Sequence, residues 1–153
     1  MKLLFSLLLT VFALPGIAQQ TNEENAIRAT IDRLFTGMRT SDTAMLASTF
    51  SPTAVMQTIV QKNDGVTVVR TETVIDFVNA VGKPRTEILD ERISYGAIHI
   101  DGTLAAVWTP YEFYVGTKFS HCGVNSFQLV KLNGDWKIQY IIDTRRKESC
   151  KGN

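Results

Sequence analysis

The stretch "SFQLVKLNGDWKIQYIIDTRR", residues 126–146, decides the architecture. Two runs rich in β-branched and aromatic residues flank Asn133-Gly134, a strong short-range signal for a tight β-hairpin. A two-residue turn sets Leu132 against Asp135. Pairing then continues with Leu129 against Ile138, Phe127 against Tyr140, Asn125 against Ile142, Gly123 against Thr144 and His121 against Arg146. Opposed residues share a sheet face. One face is therefore apolar near the turn and grows polar toward His121, Asn125 and Thr144. The other carries Cys122, Val124, Ser126 and Gln128 with Gln139, Ile141, Asp143 and Arg145.

Working back from this hairpin, residues 103–115 read as another strand, entered through the turn signal Asp101-Gly102 from a strand run over 86–100. Helices come earlier. Thr21-Asn22-Glu23-Glu24 fits a capping box, and Ile27, Ile31, Leu34, Phe35 and Met38 recur at helical spacing up to about Arg39. Ser41-Asp42 caps a short second helix through Met45, Leu46 and Phe50, ended by Ser51-Pro52. Residues 54–60 and 66–70 form a hairpin around Asn63-Asp64-Gly65. Thr71 and Thr73 open a third helix, ended by Gly82 and Pro84. Segregated helices and antiparallel strands give an α+β fold: a curved antiparallel β-sheet wrapped around three helices from the N-terminal half.

The N-terminus reads as a secretory signal peptide. Lys2 precedes an apolar run from Leu3 to Leu14, Pro15-Gly16 breaks it, and Gly16 and Ala18 are the small residues before a cut after Ala18. The run is shorter than the ~20 residues that span a bilayer. The expectation is an exported chain, periplasmic or secreted, with a leader at 1–18 and a single domain at 19–153. The formal net charge of +1 gives no field to draw nucleic acid. Export permits a disulfide. Cys122 and Cys150 are the only two cysteines, so any intramolecular bridge joins them.

Element order and length resemble the nuclear-transport-factor-2-like (SnoaL-like) superfamily. The resemblance rests on "RTSDTAMLASTFSPTAVM" (39–56) and on the 126–146 stretch. Within that superfamily, "HCGVNSFQLVK" (121–131) and "IIDTRR" (141–146) are most similar to exported chains described as "putative lumazine-binding". The resemblance implies a bent sheet round helices, a pocket inside the cone, pairing through the sheet as a homodimer, and a small apolar or aromatic ligand. Some superfamily members are isomerases, cyclases or dehydratases and others only bind or scaffold, so fold does not fix function.

The residues themselves supply few reacting groups. Neighbours on a strand point to opposite faces, which separates His121 from Cys122 and sets aside a Cys–His dyad. No metal-ligand spacing or cofactor fingerprint is present, so no metal and no cofactor is expected. The pocket-lining candidates are His121, Asn125, Tyr140 and Trp108, with His121 as the one weak acid/base candidate. The three rival functions are a small-molecule-binding protein, a cofactor-free enzyme using His121, and a dimeric interaction module.

Overall fold

The computed structural model describes residues 15–62, 64–148 and 150, with backbone alone for 15–18. The expected leader therefore lies outside the described residues over 1–14. Asn63, in the expected turn of the first hairpin, lies outside them too.

Helix α1 (Pro15–Thr40) lays Ile27, Ile31, Leu34, Phe35 and Met38 onto the sheet, each nearly or fully buried. That is the stripe the helical spacing predicts. Its start differs from the expectation, because the helix runs back past Thr21 to Pro15. Glu23 and Glu24 serve side-chain contacts instead of a capping box. Glu24 holds Arg28 one turn on. Glu23 accepts from Lys131 Nζ at 2.6 Å and Trp136 Nε1 at 2.8 Å, fastening the helix to the far end of the sheet.

Helix α2 (Thr43–Ser48) is capped by Asp42, whose Oδ1 accepts from Met45 N–H. It ends before Phe50, which opens a strand rather than finishing the helix. The strands are β1 (Phe50–Gln61) and β2 (Thr67–Glu72), then, after α3 (Val74–Val81), β3 (Leu89–Ile93), β4 (Ile98–Asp101), β5 (Leu104–Val115), β6 (Lys118–Leu132) and β7 (Asp135–Thr144). The expected single run over 86–100 is thus two strands. They part at Gly96, where a Cβ would stand 2.9 Å from the Trp108 carbonyl oxygen, and both pair with β5. Sheet order is β2-β1-β7-β6-β5-β3, with β4 also on β5. All pairs are antiparallel except β1–β7, which is parallel.

The sheet curls round α1. Phe127, Leu129 and Ile138 are fully buried against it, and Phe35 meets Phe127 edge-on at 6.3 Å between ring centres.

The closing hairpin keeps the expected register only near its turn. Leu132 pairs with Asp135 and Leu129 with Ile138, but Gln128 then pairs with Tyr140, leaving Gln139 as an extra residue in β7. This β-bulge shifts everything beyond it by one. Asn125 faces Asp143 rather than Ile142, and Phe127 faces Ile141 rather than Tyr140. The cause lies in β1. Pro52 has no N–H to give to a ladder, and pairing of β1 with β7 jumps from Phe50–Ile138 to Val55–Tyr140. The Gln139 amide fills the gap, accepting from Ser51 Oγ at 2.7 Å and donating to the Thr53 carbonyl at 3.1 Å.

Candidate functional site

The bulge builds the site. A one-residue slip exchanges the two faces of a strand, so Ile141 and Asp143 point into the cone and Tyr140 points out. The inward positions now form a polar row across the sheet: Thr109, Asn125, Asp143 and Thr58 are successive register partners on β5, β6, β7 and β1. Asn125, Asp143 and Thr58 of this row face a cavity of about 70 Å³ between the sheet, α1 and α3. Leu34, Phe35, Met38, Met56, Phe77 and Ile141 form its apolar wall, while Glu91, Tyr111, His121, Asn125, Asp143 and Arg145 form its polar wall. Glu72 also lines it and is exposed, from the edge strand β2.

Asp143 is 8% exposed and fully engaged. Its Oδ1 accepts from Thr58 Oγ1 at 2.6 Å, and its Oδ2 from Arg145 Nε at 2.9 Å and Tyr111 O–H at 3.2 Å. Tyr111 also reaches the Thr144 carbonyl at 2.9 Å. Burial above all, then the charges of Asp143 and Glu91, holds its hydroxyl protonated far above the usual phenol range. Gly123 lets this ring cross β6, since a Cβ there would stand 2.9 Å from Tyr111 Cε1 and collide with the Thr144 carbonyl.

Glu91 hangs inward from β3. As a residue it keeps partial exposure, but its carboxyl end is turned into the cavity, where Asn125 Nδ2 donates to Oε1 at 2.8 Å. Burial pushes this carboxyl up to about 7. The Asn125 hydrogen bond opposes the rise, the Asp143 charge adds to it and Arg145 opposes it.

His121 stands edge-on to Tyr111 and tilted against Phe113, with ring centres 5.7 and 5.0 Å away. Its Nδ1 lies 3.0 Å from Ser120 Oγ. Burial first, then Arg145, holds the imidazole below its ordinary pKa, against the pull of Asp143. Neither ring nitrogen bonds Asp143, so the two form no His–Asp pair.

His121 and Asn125, two of the four pocket candidates, line this cavity. Tyr140 does not, because the bulge turns it outward, where its hydroxyl donates to Gln57 Oε1 at 2.6 Å. Trp108 does not either. It pairs with Ser126 on the outer face and is 51% exposed. Cys122 and Cys150 are joined in a disulfide, with Cα atoms 5.6 Å apart. The bridge secures the segment after β7 beside Cys122, which also exchanges two backbone hydrogen bonds with Arg146.

Glu91 and Tyr111 are site residues that the sequence reading missed, while Asp143 and Arg145 were assigned to the opposite sheet face and do form an ion pair. Glu91 left a plain signal: a charged residue between Leu89 and Ile93 at strand spacing, on an otherwise apolar face. Among the described residues no three His, Cys, Asp or Glu side chains gather where they could hold a metal, and no helix is long and apolar enough to cross a membrane.

Solved structures share this fold at low identity. An NTF2-like protein of unknown function from Shewanella baltica superposes with TM-score 0.64 at 15% identity, covering 84% of this chain and 97% of that one. A cystatin-like domain of unknown function from Nostoc punctiforme gives 0.62 at 16%, covering 84% and 80%. A Novosphingobium aromaticivorans protein described as "the beta subunit of a putative aromatic-ring-hydroxylating dioxygenase" gives 0.68 at 13%, covering 86% and 93%. No curated protein matches the chain. Residues 22–140, from early α1 through Tyr140 in β7, match the model of a protein family. With its cone, inner cavity and closing hairpin, the chain belongs to the family described as "Putative lumazine-binding" within the nuclear-transport-factor-2-like fold.

Proposed function

We propose that the protein binds a small molecule with an apolar body and a polar end in the cavity between α1, α3 and the sheet. One observation carries this: a six-residue apolar wall faces a polar wall on which Glu91 Oε2, Asn125 Oδ1 and His121 Nε2 have no hydrogen-bond partner among the described residues. Few convergent polar groups against an apolar wall are the usual make-up of a ligand site. The volume, about 70 Å³, is below the ~150 Å³ that takes up benzene in an engineered cavity. The enclosed part of the ligand is therefore small. The family description favours the same small-molecule reading.

The test is native mass spectrometry of the protein isolated from its own host. A bound mass that disappears when Asn125 and His121 are replaced supports the proposal. No bound mass, together with no thermal shift across a small-molecule library, overturns it.

A second reading, acid/base catalysis, is favoured by one observation. Glu91 is raised to about 7 while His121 is held below its ordinary value, so a carboxyl that exchanges its proton near neutrality shares one cavity with an imidazole. Asp143 is not one of them, since three donors occupy it. Turnover of a bound ligand that Glu91→Gln abolishes while binding persists would establish this reading.

Export and self-association complete the proposal. Cleavage after Ala18 predicts a mature N-terminus at Gln19, inside the first turns of α1, and N-terminal sequencing checks it. The outer sheet face presents Trp108, Leu104 and Leu132, 51%, 47% and 41% exposed. A second copy packed on this face would cover them, and sedimentation reads the subunit count.

A further inference from the structure

The charge inside the cavity selects among small molecules. Three carboxylates line it, Glu72 on β2, Glu91 on β3 and Asp143 on β7, against one cation, Arg145. The remaining polar lining, Gln57, Thr58, Tyr111, His121 and Asn125, is uncharged in the state that burial favours. Helices α1 and α3 contribute only Leu34, Phe35, Met38 and Phe77 to the lining. Arg70 follows Thr58 along the polar row but is exposed on the edge strand and does not line the cavity.

Arg145 is already spent on Asp143 and Thr58, which its Nε and Nη2 reach at 2.9 and 3.2 Å. An entering anion would meet two further carboxylates without an unspent cation. The unmet hydrogen-bonding capacity points the same way. Asn125 is 4% exposed. Its amide nitrogen donates to Glu91 Oε1, which leaves its own Oδ1 and the second Glu91 oxygen without a hydrogen-bond donor among the described residues. Unpaired carboxylate and amide oxygens want a donor, and the ionised form of Glu91 wants that donor charged.

We propose that the cavity takes a small primary amine as its ammonium ion, which donates to Glu91 and Asn125 while its alkyl body lies on the Leu34–Phe35–Met38 wall. This rests on the cavity being a ligand site. Phe35, Phe77 and Tyr111, whose aromatic rings attract cations, are also in the lining. The amine binds the carboxylate form of Glu91, so its affinity rises with pH through about 7.

Three probes of one shape test this: isobutylamine, isobutanol and isobutyrate, titrated separately into the full mature chain and followed by amide NMR shifts of cavity residues. The expected result is isobutylamine at least tenfold tighter than isobutanol, with isobutyrate silent. Amine affinity should rise severalfold from pH 5.5 to 8, while alcohol affinity stays flat. Glu91→Gln should remove the advantage of the amine and keep the alcohol. Isobutanol as tight as isobutylamine, or isobutyrate tighter than both, overturns the cation proposal and leaves the ligand site standing. If no probe moves a cavity resonance, both proposals fall. The pH profile needs no variant, so poor folding of Glu91→Gln would not spare the idea.

Discussion

Replacing Glu91 by Gln should make this protein more stable at alkaline pH. The side chain keeps its shape and can still accept from Asn125, but it can no longer ionise. In the folded protein burial raises the Glu91 carboxyl from an ordinary 4.5 to about 7. Between those two values the folded chain holds a proton that the unfolded chain has released. Stability contributed by this group is therefore greatest below about pH 4.5, falls as pH rises through the window and levels off above about 7. At ~1.4 kcal/mol per pKa unit, the folded state loses on the order of 3 kcal/mol across that window. The cavity mouth admits some water, so about 2–3 kcal/mol is the expected measured difference.

The assay is urea unfolding of both proteins at pH 5 and pH 8.5, with no ligand added. At pH 5, half a unit into the window, Glu91→Gln should lead by less than about 1 kcal/mol. At pH 8.5 Glu91→Gln should be more stable by about 2–3 kcal/mol, or roughly 4–12 °C in Tm for a chain of this size. His121 acts with the opposite sign. Its depressed pKa supplies stability above its ordinary 6.5, and this is lost as pH falls. It is present in both proteins and cancels in the difference. Parallel stability curves, or a variant less stable at pH 8.5, would refute the placement of a buried, ionisable Glu91 carboxyl.

Other perturbations follow from the same geometry. Asp143→Ala strands Arg145, Thr58 and Tyr111 together, and should cost about 3–5 kcal/mol in chemical unfolding, as breaking a buried charged network does. Asp143→Asn keeps part of the bonding and should cost less. Gly123→Ala drives a methyl against the Thr144 carbonyl and the Tyr111 ring, so it should yield little soluble protein, whereas Gly134→Ala, with nothing within 4 Å, should fold with a modest loss from its φ of 93°. Reducing Cys122–Cys150 should lower stability by up to ~3.6 kcal/mol in the chain-entropy model. Equal unfolding midpoints with and without reductant would count against the bridge. Trp108→Glu should weaken the proposed dimer at least tenfold by sedimentation without moving the monomer's unfolding midpoint.

Much of the fold could be read from local pattern. The α1 stripe from Ile27 to Met38 needs only a period near 3.6, and Asn133-Gly134 fixes its hairpin by turn chemistry alone. The site was harder to see, because it depends on register several residues from any turn. Counting pairs outward from Asn133-Gly134 is sound as far as Leu129–Ile138 and off by one beyond it. The disturbance starts in another strand, at Pro52, some 87 residues earlier in the chain. That proline was legible as a helix stop. Its effect on β7 was not, since nothing in the sequence states that β1 and β7 are neighbours. Tyr140 and Asp143 exchanged faces for that reason alone. Trp108 was misplaced because no local signal states how β5 lies against β6; it pairs with Ser126, between the inward Asn125 and Phe127, and so stands on the outer face.

The unpaired Gln139 makes the closing hairpin a sequence with two reading frames. In one, Ile141 and Asp143 are interior. In the other, Tyr140 and Ile142 are, and the interior loses its fixed anion. The two frames differ by one residue placed well away from the Asn133-Gly134 turn, so the turn is the same in both. Whether Gln139 pairs in the ladder or stands outside it is then what decides if this chamber holds Asp143, on an otherwise unaltered scaffold. Deleting Gln139 itself should leave Ile141 and Asp143 interior and keep the alkaline penalty of Glu91, because it removes the extra residue without changing the alternation from Ile138 onward.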